Sequence, residues 1–255
     1  MTARLSVIGI GPGDPTQVTV EAIEAMNAVD VFFVVTKGSG GKQELVDLRF
    51  EILHRYVRDP AGYRTVEIRD PDRDRTPTDY RATVAAWRAA RADVWESALR
   101  KHLGDGVHGA FLVWGDPSLY DSTLDVLADV RARGVVEFDQ NVIPGISSVQ
   151  ILAARHGIAL NRIGGAIAIT PARRLADGLP TGAEDVVVLL DAGTAFTAIA
   201  EPGVHIYWGA YLGSPDELLI DGPLDEVAGE IERVRSEAKE RKGWMFDTYL
   251  LRRAR

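Results

Sequence analysis

The chain has 255 residues, 46% hydrophobic and 26% charged, an ordinary composition for one large globular domain or two small ones. A net charge of −8 opposes a nucleic-acid partner, because phosphate binding needs a concentrated basic surface. The absence of cysteine excludes disulfides, thiolate zinc sites and thiol nucleophiles, and the five histidines lack HExxH spacing, so no metal site is expected.

Met1 to Arg4 lead at once into the apolar run Leu5 to Ile10, without the basic and long apolar regions of a secretion signal. No apolar run reaches the ~18 residues needed to cross a bilayer. A soluble, cytoplasmic protein with no membrane partner is expected.

The first half alternates strand-like and helical patterns. A strand at Leu5 to Ile10 is followed by a helix at Thr16 to Val29, a strand at Val31 to Val35, amphipathic stretches, and a strand at Val107 to Val113. That rhythm predicts an α/β domain with a largely parallel sheet. Arg69 to Pro77 is charged and bounded by proline, and reads as a solvated loop. Pro77 to Leu103, with few breakers, predicts one or two long helices.

A Pro-Gly turn at Pro144-Gly145 hands over to a helix capped by Ser147 or Ser148. The domains are therefore expected at 1–143 and 144–255. In the second, Ala166 to Ile169, Val186 to Leu190, His205 to Trp208, Glu217 to Ile220 and Trp244 to Leu251 read as strands, and Leu224 to about Glu240 as a helix. Short spacings between those strands leave little room for crossover helices, so more antiparallel pairing is expected here.

Two turns draw attention to chemistry. Gly9-Ile10-Gly11-Pro12-Gly13-Asp14-Pro15 ends the first strand, where close glycines let backbone approach a ligand or another segment. Asp14 stands where a dinucleotide fingerprint has its third glycine, and no Gly-Lys-Ser/Thr follows, so neither a Rossmann nor a Walker loop fits. Val113-Trp114-Gly115-Asp116-Pro117-Ser118-Leu119-Tyr120 ends a later strand in the same manner. The pair predicts two carboxylates and exposed backbone on one rim of a sheet.

These two turns, followed by Pro144-Gly145-Ile146-Ser147-Ser148, resemble in order and over the whole chain the tetrapyrrole (corrin/porphyrin) methylase family. The resemblance implies two α/β domains with a cofactor and substrate cleft between them, S-adenosyl-L-methionine as cofactor, S-adenosyl-L-homocysteine as its product, a tetrapyrrole substrate and a homodimer. By position in the family motifs, Pro12, Trp114, Gly115, Asp116, Leu119, Ser147, Ser148, Leu190, Asp191, Tyr211 and Leu212 are implied to bind the cofactor. Asp14, Lys37 and Tyr120 are implied to meet the substrate.

Finer likeness in Trp114 to Ser122, Ile206 to Glu217 and Trp244 to Leu251 favours members that methylate C1 of precorrin-5 and release acetate. Asp14, Asp121 and Asp191 are candidate proton acceptors by position, and no catalytic base is assigned among them. Lys37, Lys42, Arg173 and Arg174 follow strands and are candidate cations for a polycarboxylate, while Trp208 and Tyr211 either pack on a ring or fill the core. The alternatives are another precorrin carbon, a translation component, or a binding module for an adenosine compound without catalysis.

Overall fold

A computed structural model describes residues 2–37, 43–72 and 79–254. Its contacts divide the chain into two compact units, Met1–Gly11 with Pro15–Ile146, and Pro12–Asp14 with Ser147–Arg255.

The first unit is built on β1 (Ala3–Gly9), β2 (Val31–Lys37), β3 (Arg64–Asp70), β4 (His108–Val113) and β5 (Phe138–Ile143). They pair in the order β3-β2-β4-β1-β5, every pairing parallel. Between them run α1 (Val20–Met26), α2 (Gln43–Tyr56), α3 (Tyr80–His102) and α4 (Thr123–Ala132).

The period-two pattern of the strands sends alternate side chains to opposite faces. Leu5, Val7, Phe111 and Val113 pack with Trp95 and Leu99 of α3 and Leu127 of α4. Ile8, Ala110 and Leu112 pack with Ala22 and Met26 of α1 and Ile52 of α2. The chain runs outward through β2 and β3, then returns through β4 to β5. Crossovers in opposite directions from β1 and β4 put helices on both faces.

The helix expected at Thr16 to Val29 is two pieces, a 3₁₀ turn at Pro15–Gln17 and then α1. The cause is Thr19, whose hydroxyl accepts from the Ala22 nitrogen at 3.1 Å and starts the α-helix afresh. The charged stretch from Arg69 is only partly as expected. Arg69 and Asp70 finish β3, and Asp70 is buried because Arg91 of α3 pairs with it at 2.8 Å while Trp95 Nε1 donates to it at 2.8 Å. Residues 73–77 of that stretch lie outside the described ones.

The second unit contains α5 (Ser148–His156), β6 (Ile167–Pro171), β7 (Asp185–Leu189), β8 (His205–Ala210), β9 (Leu218–Pro223), α6 (Leu224–Lys242) and β10 (Asp247–Arg252). Sheet order is β6-β7-β10-β8-β9. Only β6 and β7 pair in parallel, and the other neighbours are antiparallel, as the short strand spacings imply. Its core gathers Val186, Val188, Ile206, Trp208, Tyr249 and Leu251 against Leu224, Ile231 and Ala238 of α6. The strand expected from Trp244 begins only at Asp247, since Trp244 and Phe246 form aromatic contacts ahead of the sheet.

Candidate functional site

In the first unit the carboxyl ends of β1 and β4 lie side by side, with Gly9 opposite Val113. The connection from β1 leaves toward β2 and that from β4 toward β5, so their ends form the switch point at which open α/β sheets bind ligands. Beyond the strands the two turns stay paired: Gly115 N donates to Gly11 O at 2.9 Å and Gly11 N to Gly115 O at 3.3 Å. Both glycines have positive φ, +79° and +73°, which an L side chain resists.

The Pro-Gly turn after β5 closes the same rim. A Cβ on Gly9 would stand 2.5 Å from the Gly145 nitrogen, and one on Gly145 would collide with the Gly115 carbonyl oxygen. These glycines therefore serve backbone-to-backbone packing. Gly115 differs, for a Cβ there would meet nothing within 4 Å.

Asp116 fastens the rim. Its Oδ2 accepts from Gly145 N at 2.9 Å, and its Oδ1 accepts from Ser118 N at 2.8 Å and from the Ser118 hydroxyl. Burial pushes this carboxyl up, but the donors from Ser118 and Gly145 outweigh it and hold Asp116 below the usual carboxylate range. It stays ionised at neutral pH. Trp114 and Leu119 are half-buried beside it, and Tyr120 is exposed with φ +54°.

Sequence reasoning missed Arg49 of α2. It reaches this end of the sheet, with Nε donating to Leu112 O at 2.9 Å and Nη1 to Leu45 O at 2.7 Å. Burial lowers its pKa, and Asp121 works in the opposite sense. Asp121 itself accepts from Thr123 N at 2.6 Å at the start of α4. The side chain of Lys37, and all of Lys42, lie outside the described residues.

The opening turn does not act as one piece. Pro12, Gly13 and Asp14 group with the second unit, where a Cβ on Gly13 would meet the Gly213 carbonyl carbon at 2.9 Å and Ser214 N at 3.0 Å. Of the two aspartates in these turns, Asp116 belongs to the first unit and Asp14 is grouped with the second.

In the second unit the turns after β7 and β8 have left-handed backbones at Leu190 (φ +58°) and Tyr211 (φ +49°). With Tyr120 they are the non-glycine residues of positive φ among the described residues, and each lies in a segment singled out by its motif. Such strain concentrates where the surrounding structure enforces a functional geometry. Leu190 is half exposed, whereas Tyr211 and Leu212 are buried.

Asp191 is buried and fully engaged. Gly193 N donates to its Oδ1 at 2.9 Å, and Ala195 N at 2.9 Å and the Tyr249 hydroxyl at 2.7 Å donate to its Oδ2. Burial and the neighbouring Asp191 push the Tyr249 phenol above its ordinary range, so it remains a donor. Asp191 is a fixed hydrogen-bond cap of the turn after β7.

Ser147 caps α5 through a reciprocal box with Gln150, and Thr248 of β10 donates to the Ser148 hydroxyl at 2.9 Å. Trp208 lies wholly in the core with its Nε1 on Asp247, and Arg173 and Arg174 are exposed in a 3₁₀ turn. Among the described residues no group of three or more histidines or carboxylates is placed to hold a metal ion, and no helix is long and apolar enough to cross a membrane.

Residues 4–228 match the family model described as Tetrapyrrole (Corrin/Porphyrin) Methylases. The chain belongs to the tetrapyrrole methylases. Among other members, a precorrin-6A synthase [deacetylating] of Sinorhizobium sp. is 45% identical over 250 residues, 98% of this chain and 95% of that one. The crystal structure of a cobalamin synthesis related protein, CobF from Corynebacterium diphtheriae, superposes with a TM-score of 0.85 at 34% identity, covering 99% of both chains. A uroporphyrin-III C-methyltransferase from Thermus thermophilus, solved with S-adenosyl homocysteine, shares the tetrapyrrole methylase fold at 17% identity and a TM-score of 0.58, covering 97% of this chain and 96% of that one.

Proposed function

We propose that this chain is a precorrin-6A synthase of the deacetylating type. It transfers a methyl group from S-adenosyl-L-methionine to C1 of precorrin-5, releases the acetyl unit as acetate, and serves aerobic cobalamin synthesis. The observation that carries this reading is the 45% identity to the Sinorhizobium enzyme across nearly the whole of both chains.

The residues suit an adenosine sulfonium compound. Gly115 offers open space above a left-handed backbone, and the half-exposed Leu190 turn offers main-chain donors and acceptors. We assign the cofactor to Trp114, Gly115, Asp116 and Leu119 in the first unit, and to Pro12, Ser147, Ser148, Leu190, Asp191, Tyr211 and Leu212 in the second. When bound, the cofactor supplies a methyl carbon already activated by its sulfonium.

What the chain contributes is position. Asp116 keeps the turn after β4 against the turn after β5, so the Gly115 backbone is fixed before any ligand arrives. Asp191, with its oxygens engaged, takes part through its backbone and by holding Leu190. Asp14, Lys37 and Tyr120 are assigned to the macrocycle. Methyl transfer and acetyl loss together consume one water and yield acetate and two protons, and no base is assigned to them. The enzyme is read as a cytoplasmic homodimer, which a sedimentation mass of one chain would contradict.

The test is incubation of the purified chain with precorrin-5 and S-adenosylmethionine, followed by mass spectrometry. Gain of a methyl, loss of an acetyl and one equivalent each of acetate and S-adenosylhomocysteine are expected. Methylation without acetate would move the reaction to another carbon. Cofactor binding without turnover of intact substrate would leave a binding module.

A further inference from the structure

The strained turns after β7 and β8 are held from one buried point. β10 lies between β7 and β8 in the sheet, pairing with β8 from Asp247 and with β7 from Tyr249. Asp247, which opens β10, pairs in register with Ala210, the residue before Tyr211, and Phe246 O accepts from Tyr211 N at 3.0 Å.

Arg235 of α6 binds both sides of this arrangement. Its Nε donates to Asp247 Oδ2 at 2.8 Å and its Nη2 to the Asp191 carbonyl oxygen at 2.7 Å, the main-chain oxygen next to Leu190. Trp208 Nε1 donates to the same Asp247 oxygen at 3.1 Å.

The position is unusual for a cation. On α6 the buried residues are Leu224, Ile231, Arg235 and Ala238, so Arg235 stands in the stripe that otherwise fills the apolar core. A hydrophobic residue there would avoid the desolvation of two charges, and buried ion pairs are weak contributors to stability. An apolar side chain could not donate to Asp191 and Asp247 together.

We propose that Arg235 is a positioning residue for the methyl donor, coupling the left-handed turns at Leu190 and Tyr211 through Asp191 and Asp247. The inference rests on the assignment of those turns to S-adenosylmethionine above. It assigns Arg235 no contact with the reacting atoms.

The test compares Arg235→Lys with the unaltered enzyme, measuring S-adenosylmethionine affinity by calorimetry and separating KM from kcat in turnover. A lysine keeps the charge but cannot span both acceptors. Affinity should fall roughly tenfold and KM rise in step, while kcat at saturating cofactor changes less than about twofold.

A double-mutant cycle with Leu190→Gly separates positioning from general damage. Glycine holds a positive φ without help, so the Arg235→Lys penalty should shrink at least about threefold in that background. An undiminished penalty, or a folded Arg235→Lys enzyme of unchanged affinity, overturns the proposal. If Arg235→Lys does not fold, the isosteric Asp247→Asn carries the same measurement, and unchanged affinity there overturns it too. Failure of the unaltered enzyme to bind S-adenosylmethionine would instead remove the assignment on which the proposal rests, and the proposal with it.

Discussion

The two units solve the same backbone problem by different means. Immediately beyond β1 and β4 the left-handed positions are Gly11 and Gly115, with Tyr120 following later in the β4 turn, while immediately beyond β7 and β8 they are Leu190 and Tyr211. Glycine removes the steric conflict at its source, and the first rim then needs only room for backbone to touch backbone. Leucine and tyrosine retain the conflict, which costs about 1–3 kcal/mol per residue. Packing and buried hydrogen bonds around Asp191, Arg235 and Asp247 must offset it. A turn made by glycine is thus a local device, and a turn made by leucine depends on residues far along the chain.

The sharpest way to break the first device is Gly145→Ala. Its methyl would collide with the Gly115 carbonyl and crowd Gly9, and neither backbone can withdraw without opening the sheet. A loss of about 3 kcal/mol or more is expected, read by urea denaturation, with loss of methyl transfer. Gly115→Ala is the control, since space is open there and only the positive φ is penalised, by about 1–2 kcal/mol. Equal losses for the two would show that conformation, rather than close approach, governs this rim.

The same contrast decides what could be read from the amino-acid sequence. The parallel first sheet, the more antiparallel second one and a helix cap at Ser147 or Ser148, which falls on Ser147, follow from strand spacing, hydrophobic period and a Pro-Gly-x-Ser signal. Gly115 and Asp116 were visible because glycine and aspartate after an apolar run form turns, and the same Gly-Asp-Pro pattern follows the first strand. Leu190 and Tyr211 were located only by their place in family motifs. Nothing in a leucine announces a left-handed backbone, and Arg235, among the many charges of α6, looks like a solvated residue. The split of Gly9 to Pro15 at Pro12 was equally hidden, because a run of glycines permits a path without choosing it.

Within the second unit, Tyr249→Phe removes one of the donors to Asp191 Oδ2 and leaves the ring in the core. Stability should fall by about 1–2 kcal/mol, and cofactor affinity should weaken if the Leu190 turn loosens. An unchanged denaturation midpoint would mean that the two backbone donors suffice to fix Asp191. Leu190→Gly tests the opposite sense. It relieves the positive φ at a half-exposed site, so the protein should become about 0.5–1 kcal/mol more stable after the entropy of an added glycine is counted. Destabilisation would show that Leu190 packs too well for its strain to matter.

The smallest expected effect separates the units by pH. In the first, His108 is buried, with Nδ1 2.8 Å from the Ala28 carbonyl and Nε2 2.8 Å from the Ser6 hydroxyl. The carbonyl can only accept, so Nδ1 carries the proton and the neutral ring takes the Ser6 hydrogen at Nε2. Burial lowers the His108 pKa, with Arg4 acting in the same sense and Ala28 and Asp30 opposing. The folded state therefore binds fewer protons than the unfolded one below the ordinary value of 6.5, and stability declines as pH falls through that value toward the depressed one. Asp247 of the second unit, raised mainly by burial, acts with the opposite sign, its contribution being lost as pH rises above 3.8. His108→Asn should flatten the slope of stability below pH 6.5, a slope that stays under the ceiling of ~1.4 kcal/mol per pH unit for one proton. A slope that survives the substitution would place the acid sensitivity elsewhere than the Ser6–His108 pair.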